Sequence, residues 1–511
     1  MAPRIGIVGG GVSGLYAAWR LSELDADVHV YERSDRLGGR LFTYHVDDDR
    51  WVEFGAMRLP DAHVVAKSLL AELSVPIEPF PNNALRHAYL RGKQVGVDPK
   101  NPLGPLTNLP YQLASDDQRN PFILLKQTLE SIDSHLFDYR TGEDWARFRR
   151  TPLPHEADLP SNYGFWNLIE QHVGSEAYDF MKVGIGIESA LGNWNAATAL
   201  ELLTKLLESY QVGKFYRPTD GWESLPDALA ARIGDTANTS ISLEHRLLAV
   251  RTDEREGKLT MVFEHEGEHV VEHVDHLILA LPKQALEALP RHVLPGRGAG
   301  FGRMLDQVSP VAAFRLYLDF GEAWWKTQGW EHGFCVTDVP VRQVFYGAGL
   351  GAHPEQMLMA SYADSASVEF WEPLLEGEPG KGDVPTVNNR HDLDAGNNRR
   401  LLASVRKQLA EMHAISDPSH IPTPSWLGYF DWSAAPNTGA WHQWAVGVDT
   451  DEAIPQIRKP FDELELYVCG EAFSSVQGWV EGALTSTELM LESGFGLSRP
   501  DWIPADYSLG A

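Results

Sequence analysis

An α/β fold of several interleaved domains is predicted for this chain. Three observations carry the prediction. A strand, a glycine turn, a helix and a second strand fit within about 30 residues at the N-terminus, which makes a βαβ unit. A long stretch from about Asp116 to Val212 then reads mainly helical. Strand patterns return over Ile241 to Leu281, and the chain closes with one more strand and one more helix. At 511 residues the chain is too long for one compact core.

The elements follow in order. Arg4 to Val8 is a short apolar run, read as a buried strand. Gly14 to Leu24 carries apolar residues at helical spacing, and Val28 to Glu32 is a second strand. The run ALELLTKLLESY has the apolar period of a helix. Ser242, Leu243 and His245 to Val250 precede a hairpin, and Leu277 to Leu281 ends that group of strands. Ala312 to Phe320 alternates like a strand again. Glu376 to Arg400 is rich in Gly, Pro, Asn and charge, so a solvated loop is expected. Glu465 to Cys469 is the final strand and Val480 to Leu491 the final helix.

Composition excludes several functions. The formal net charge of −28 repels nucleic acid and anionic membranes, so neither is an expected partner. Cys335 and Cys469 are the only cysteines; they exclude a disulfide framework and fit a reduced setting. No apolar run approaches a membrane span. The first strand begins almost at once, leaving no room for a signal peptide, and a cytoplasmic chain is expected. His265, His269, His273 and His276 alternate with acids; a polar hairpin face is expected there and no metal site.

Gly9, Gly11 and Gly14 form G-x-G-x-x-G between the first strand and helix, the setting of a Rossmann-like dinucleotide site. Gly9 permits the tight turn, Gly11 lets backbone approach a pyrophosphate, and Gly14 lets helix and strand pack closely. Val12 and Ser13 open the helix, whose amides and dipole suit phosphate. Glu32, at the end of the second strand, suits a ribose diol and repels a 2′-phosphate, favouring FAD or NAD over NADP.

The string Glu32-Arg33-Ser34-Asp35-Arg36-Leu37-Gly38-Gly39-Arg40 resembles the flavin amine oxidase family. In that family the glycines bring backbone near FAD and the arginine supports its pyrophosphate, which implies that role for Gly39 and Arg40. Fork-shaped donors suit a diphosphate. The segment from Tyr467 to Glu471, followed by Gln477 to Ala483, resembles the family's second FAD segment. The resemblance implies Gly470 at the strand end, Glu471 accepting a ribose or ribityl hydroxyl, and Trp479 and Val480 where a helix starts near the flavin ring. It also implies that the strand at Leu247 holds the adenine, and that Arg33, Ala56, Met57 and Arg58 border the cofactor. The family architecture implies a discontinuous FAD-binding domain (1–55, 219–308 and 455–495). It adds a mixed-sheet substrate-binding domain (56–115 and 309–454) and a helical domain (116–218).

GAMRLP, residues 55–60, resembles the substrate-carboxylate segment of the L-amino acid oxidase branch. The resemblance implies that Arg58 pairs with a substrate carboxylate through its planar fork. The alternative is a structural arginine paired with a core acid such as Glu53. Tyr362 falls at the branch's carboxylate-binding tyrosine; a core tyrosine is the alternative. Gly478 would present its carbonyl to the substrate amine, with Trp479 as an aromatic wall. Trp441 would line the side-chain pocket, or simply pack. Where the family often places a lysine near flavin N5, this chain has Arg315, or Phe314 on a one-residue shift. Arginine cannot act as a base there. No histidine near the substrate is identified.

The expected activity is FAD-dependent oxidative deamination of L-amino acids with dioxygen, giving 2-oxo acids, ammonia and hydrogen peroxide. The alternative is a decarboxylating amino acid 2-monooxygenase or another flavin amine oxidase. A homodimer or higher homo-oligomer is expected. The side-chain pocket is aromatic-walled, or holds one carboxylate that selects Lys or Arg.

Overall fold

The computed structural model describes residues 2–510 apart from 82–83, 116, 118, 155, 187–192, 213, 254–257, 290–297, 331, 376–384 and 438. Strand β1 (Arg4–Val8) leads into helix α1 (Val12–Leu21) and strand β2 (Asp27–Tyr31), the βαβ unit expected. The helix starts two residues before Gly14 because Gly11 is extended and turns the chain directly into it. Helix α2 (Val64–Glu72) follows. The stretch read as helical contains Pro121–Ile132, Gly142–Arg149, Phe165–His172, Ser175–Gly184 and the long α3 (Ala196–Val212).

Beyond it come β3 (Thr239–Ser242), β4 (Arg246–Asp253), β5 (His276–Leu279), β6 (Ala313–Asp319), β7 (Met357–Asp364), β8 (Trp426–Asp431), β9 (Leu466–Val468) and α4 (Val480–Phe495). One sheet has the order β3-β2-β1-β5-β9, with every pair parallel. Such a sheet is covered on both faces, which is why β1, β5 and β9 are mainly apolar, while the edge strand β3 is polar and half-exposed. Its strands come from stretches more than 400 residues apart, and β1 sits at its centre, so the glycine turn opens at the middle of its C-terminal edge.

An eight-stranded mixed sheet contains β8, β6 and β7 as neighbours, in register Arg315↔Tyr362 and Arg315↔Phe430. Its apolar face shares one cluster with the helical stretch: Leu129 and Phe180 pack with Phe334 and Phe345.

The loop expected over 376–400 is corrected in part. Residues 376–384 lie outside those described, but Thr386–Asn389 forms a strand paired with β8, and Arg390–Asp394 is a helix. Asn389 and Asp392 form a reciprocal capping box, so residues that read as loop formers act as a helix start. The histidine-rich stretch is an antiparallel hairpin, Lys258–His265 with Glu268–Val274. Among the described residues no group of His, Cys, Asp or Glu stands in metal-holding geometry, and no helix is long and apolar enough to cross a membrane. Both cysteines are buried and free.

Candidate active site

A cavity of about 860 Å³ runs from the glycine turn to the eight-stranded sheet. Most of the residues singled out from the sequence line it: Gly9, Gly11, Val12, Ser13, Glu32, Arg33, Gly39, Arg40, Ala56, Met57, Arg58, Leu247, Gly470, Glu471, Trp479 and Val480 toward the expected cofactor, and Arg315, Tyr362, Trp441 and Gly478 toward the expected substrate. Gly14 is an exception, for a steric reason. A Cβ there would lie 1.9 Å from the Gly9 carbonyl oxygen, so it serves the packing of helix on strand.

The lining fits a dinucleotide. A Cβ on Gly11 would meet nothing closer than 4.0 Å, so protein packing does not demand glycine there; the absent side chain keeps the cavity open beside the first turn of α1. Free amides at that turn suit a pyrophosphate. Glu32 is held by Gly10 N at 2.6 Å, Ser34 N at 2.9 Å and Ser34 Oγ at 2.8 Å, which fixes its carboxylate at the cavity wall. In β4 the pairing slips between Leu247 and Ala249, and this bulge sits on the cavity.

Glu471 sits in a dense set of protein donors. Its carboxylate accepts from Arg40 Nη1 at 2.5 Å, His442 Nδ1 at 2.8 Å, His442 N at 3.1 Å and Gly478 N at 2.6 Å. A carboxylate has about four acceptor positions, so protein donors already fill them. Glu471 thereby holds Arg40 and Gly478 in place at the cavity wall. Burial alone would raise its pKa; His442 and Arg40 reverse that and hold it at about 2. Burial pushes the His442 imidazole below its ordinary value, against the opposing pull of Glu471. His442 and its neighbour Gln284, 3.1 Å from Nε2, were missed from the sequence. No spacing rule links positions 284, 442 and 471.

At the far end, Arg58 Nη1 donates to Tyr210 Oη at 2.7 Å. Glu53 is not its partner. Glu53 Oε1 accepts from Trp222 N at 2.7 Å and from Thr43 Oγ1 at 3.0 Å. Arg58 forms no ion pair with any described carboxylate, and its guanidinium lies among the rings of Tyr210, Phe215 and Phe345 at 5.9, 5.8 and 6.0 Å.

Of the two candidates on β6, Arg315 faces the cavity, while Phe314 is buried against Trp371 at 5.3 Å. Arg315 donates to the Glu53 carbonyl at 2.8 Å and lies 4.7 Å over the Tyr362 ring, which makes it a fixed cation. Gly478 has φ +84, and a Cβ there would be 2.9 Å from Trp441. Trp441 in turn lies edge-on to Trp194 at 6.1 Å.

Several lining residues were not foreseen. Asp364 lies two residues after Tyr362 on β7 and shares its face, which strand alternation would have shown. Leu202, Leu203 and Leu206 on α3 read only as helix core. His63 also lines the cavity, 4.8 Å from Trp479 and held at a pKa of about 3 by burial, and no motif marks it.

Over residues 12–488 the chain matches the family described as flavin containing amine oxidoreductase. It is 25% identical to Aplysianin-A of Aplysia kurodai, over 96% of this chain and 90% of that protein. It is 22% identical to the L-amino-acid oxidase of Naja atra, over 86% of this chain and 84% of that one. A structure of putrescine oxidase bound to putrescine shares the fold with a TM-score of 0.68 at 16% identity, covering 97% of this chain and 100% of that one. With a dinucleotide cradle at one end of its cavity and this match across nearly its whole length, the chain belongs to the flavin containing amine oxidoreductase family, an oxidoreductase with FAD as its cofactor.

Proposed function

We propose that the protein oxidises L-amino acids, giving 2-oxo acids, ammonia and hydrogen peroxide. The observation that carries this reading is Arg58: a guanidinium at the cavity wall, among aromatic rings, with no described carboxylate paired to it. A cation so placed favours an anionic ligand, and a carboxylate matches its fork. The name of the Naja atra relative supports the reading.

Arg58 and the Tyr362 hydroxyl hold the substrate carboxylate. The Gly478 carbonyl orients the amine, whose neutral form is the reactive one. Trp441 and Trp479 wall the site and exclude water. Positioning of the Cα–H bond is the protein's main contribution. When bound, FAD supplies the two-electron oxidant and passes the electrons to dioxygen. Arg315, tied to the Glu53 carbonyl, places a fixed positive charge beside the reacting atoms without taking a proton. The imino acid is hydrolysed by water to the 2-oxo acid.

Anaerobic addition of L-amino acids is expected to bleach the flavin absorbance, and failure to bleach would sink the reading. Mass spectrometry of the product from L-phenylalanine separates the alternative, since a 2-monooxygenase yields an amide and carbon dioxide. The cavity has aromatic walls at Trp441 and Trp479, a matching surface for apolar side chains. A peroxide-coupled screen across L-amino acids ranks them.

A further inference from the structure

The partner of Arg58 comes from an element that no sequence motif connects to it. Tyr210 lies near the end of α3, and its hydroxyl accepts from Arg58 Nη1 at 2.7 Å. The Tyr210 ring is fixed on two sides, stacked on Phe122 at 5.0 Å and tilted against Phe215 at 4.8 Å. The rings around the guanidinium lie at nearly equal distances, 5.9, 5.8 and 6.0 Å, so none sets a direction. The hydroxyl does. It takes one of five guanidinium donors and leaves the others for a ligand.

The same helix face carries Leu202 and Leu206, eight and four residues before Tyr210, and both line the cavity. One helix face therefore borders the substrate space and grips the arginine that meets the substrate.

We propose that Tyr210 is a positioning residue for carboxylate recognition: its hydroxyl fixes the rotation of the Arg58 guanidinium so that the rest of the fork faces the bound carboxylate. This rests on the reading of Arg58 as the carboxylate anchor. An arginine with this hydrogen bond is pre-organised, and its rotational freedom is restricted before binding rather than during it. The role belongs to binding, so it falls on affinity rather than on turnover.

The test uses the FAD-loaded protein with Tyr210→Phe, which removes one oxygen and keeps the ring, and with Arg58→Ala. Two quantities are read. One is the Kd of 3-phenylpropanoate, a carboxylate without an amine, from its perturbation of the flavin absorbance. The other is the pair KM and kcat for L-phenylalanine. Tyr210→Phe is expected to raise Kd and KM together by about tenfold, with kcat within about twofold of wild type and FAD content unchanged. If Tyr210→Phe leaves Kd and KM unchanged while Arg58→Ala raises both, Tyr210 is not the positioning residue and the reading of Arg58 stands. If neither variant changes Kd, the carboxylate reading fails and this proposal with it. A Tyr210→Phe protein that loses FAD and kcat at unchanged Kd assigns the tyrosine to packing and overturns the proposal.

Discussion

Arg58, Gly478 and Glu53 each act through a single chemical feature. On the proposed reading the Arg58 fork makes a charge-assisted, two-pronged contact to the substrate carboxylate, so Arg58→Ala is expected to raise KM for L-amino acids by about a hundredfold while FAD stays bound. An unchanged KM would remove Arg58 from the site. Gly478 occupies φ +84 with no room for a side chain on the Trp441 side. A non-glycine residue in that region costs about 1–2 kcal/mol before any clash. Gly478→Ala is therefore expected to lower kcat/KM about tenfold, and Trp fluorescence reports the displaced indole.

Glu53 is fully enclosed, and burial pushes its pKa up to about 8. A carboxyl raised in the folded state stabilises it fully below the ordinary value of 4.5, and that contribution is lost as pH rises through about 8. Glu53→Gln keeps an acceptor for Trp222 N and Thr43 but cannot ionise. Its advantage in Tm over wild type is expected to grow from about pH 4.5 to about pH 8, and melts at both ends of that window check it.

Elements are joined at their ends by side chains from far along the chain. His63 precedes α2 and makes no side-chain cap. The cap comes from α4 instead: Glu481, fully buried in its first turn, accepts from Val65 N at 3.0 Å and Ala66 N at 2.8 Å, and from Tyr507 Oη at 2.6 Å. Glu481→Ala leaves two amides and a phenol without that acceptor in an apolar setting. It is expected to cost about 2 kcal/mol of stability, read as a fall in Tm, with Glu481→Gln losing less. The βαβ unit was legible because its signals are local: an apolar run, three spaced glycines and a closing acid. The strand at Thr386–Asn389 was not, because Asn and Asp punctuate loops and cap helices alike, and only pairing with β8 distinguishes the two uses.

For the whole molecule, the cavity lies where three apolar clusters meet. Met57 and Leu203 belong to one, Val12 and Leu59 to a second, and Val8 and Leu289 to a third. A ligand there bridges all three, so FAD acts as part of the core. Its removal is expected to lower Tm, and FAD at about a hundred times its Kd to return about 2.7 kcal/mol. Equal Tm with and without FAD would show that the clusters hold one another without it.

By itself the sequence determined the α/β class, the FAD cradle and the candidate substrate residues, because each of these is written as a short local pattern or as a resemblance in chain order. GAMRLP pointed to Arg58 but left its partner open between Glu53 and a substrate. The tertiary structure removed Glu53 as that partner, giving it to Trp222 and Thr43, and gave Arg58 the neutral hydroxyl of Tyr210. It also decided that Glu471 is filled by Arg40, His442 and Gly478, and that Arg315 rather than Phe314 faces the cavity. These are pairings between residues up to 431 positions apart. Periodicity and spacing carry no information about such pairs, which exist only once the sheets and α3 have packed.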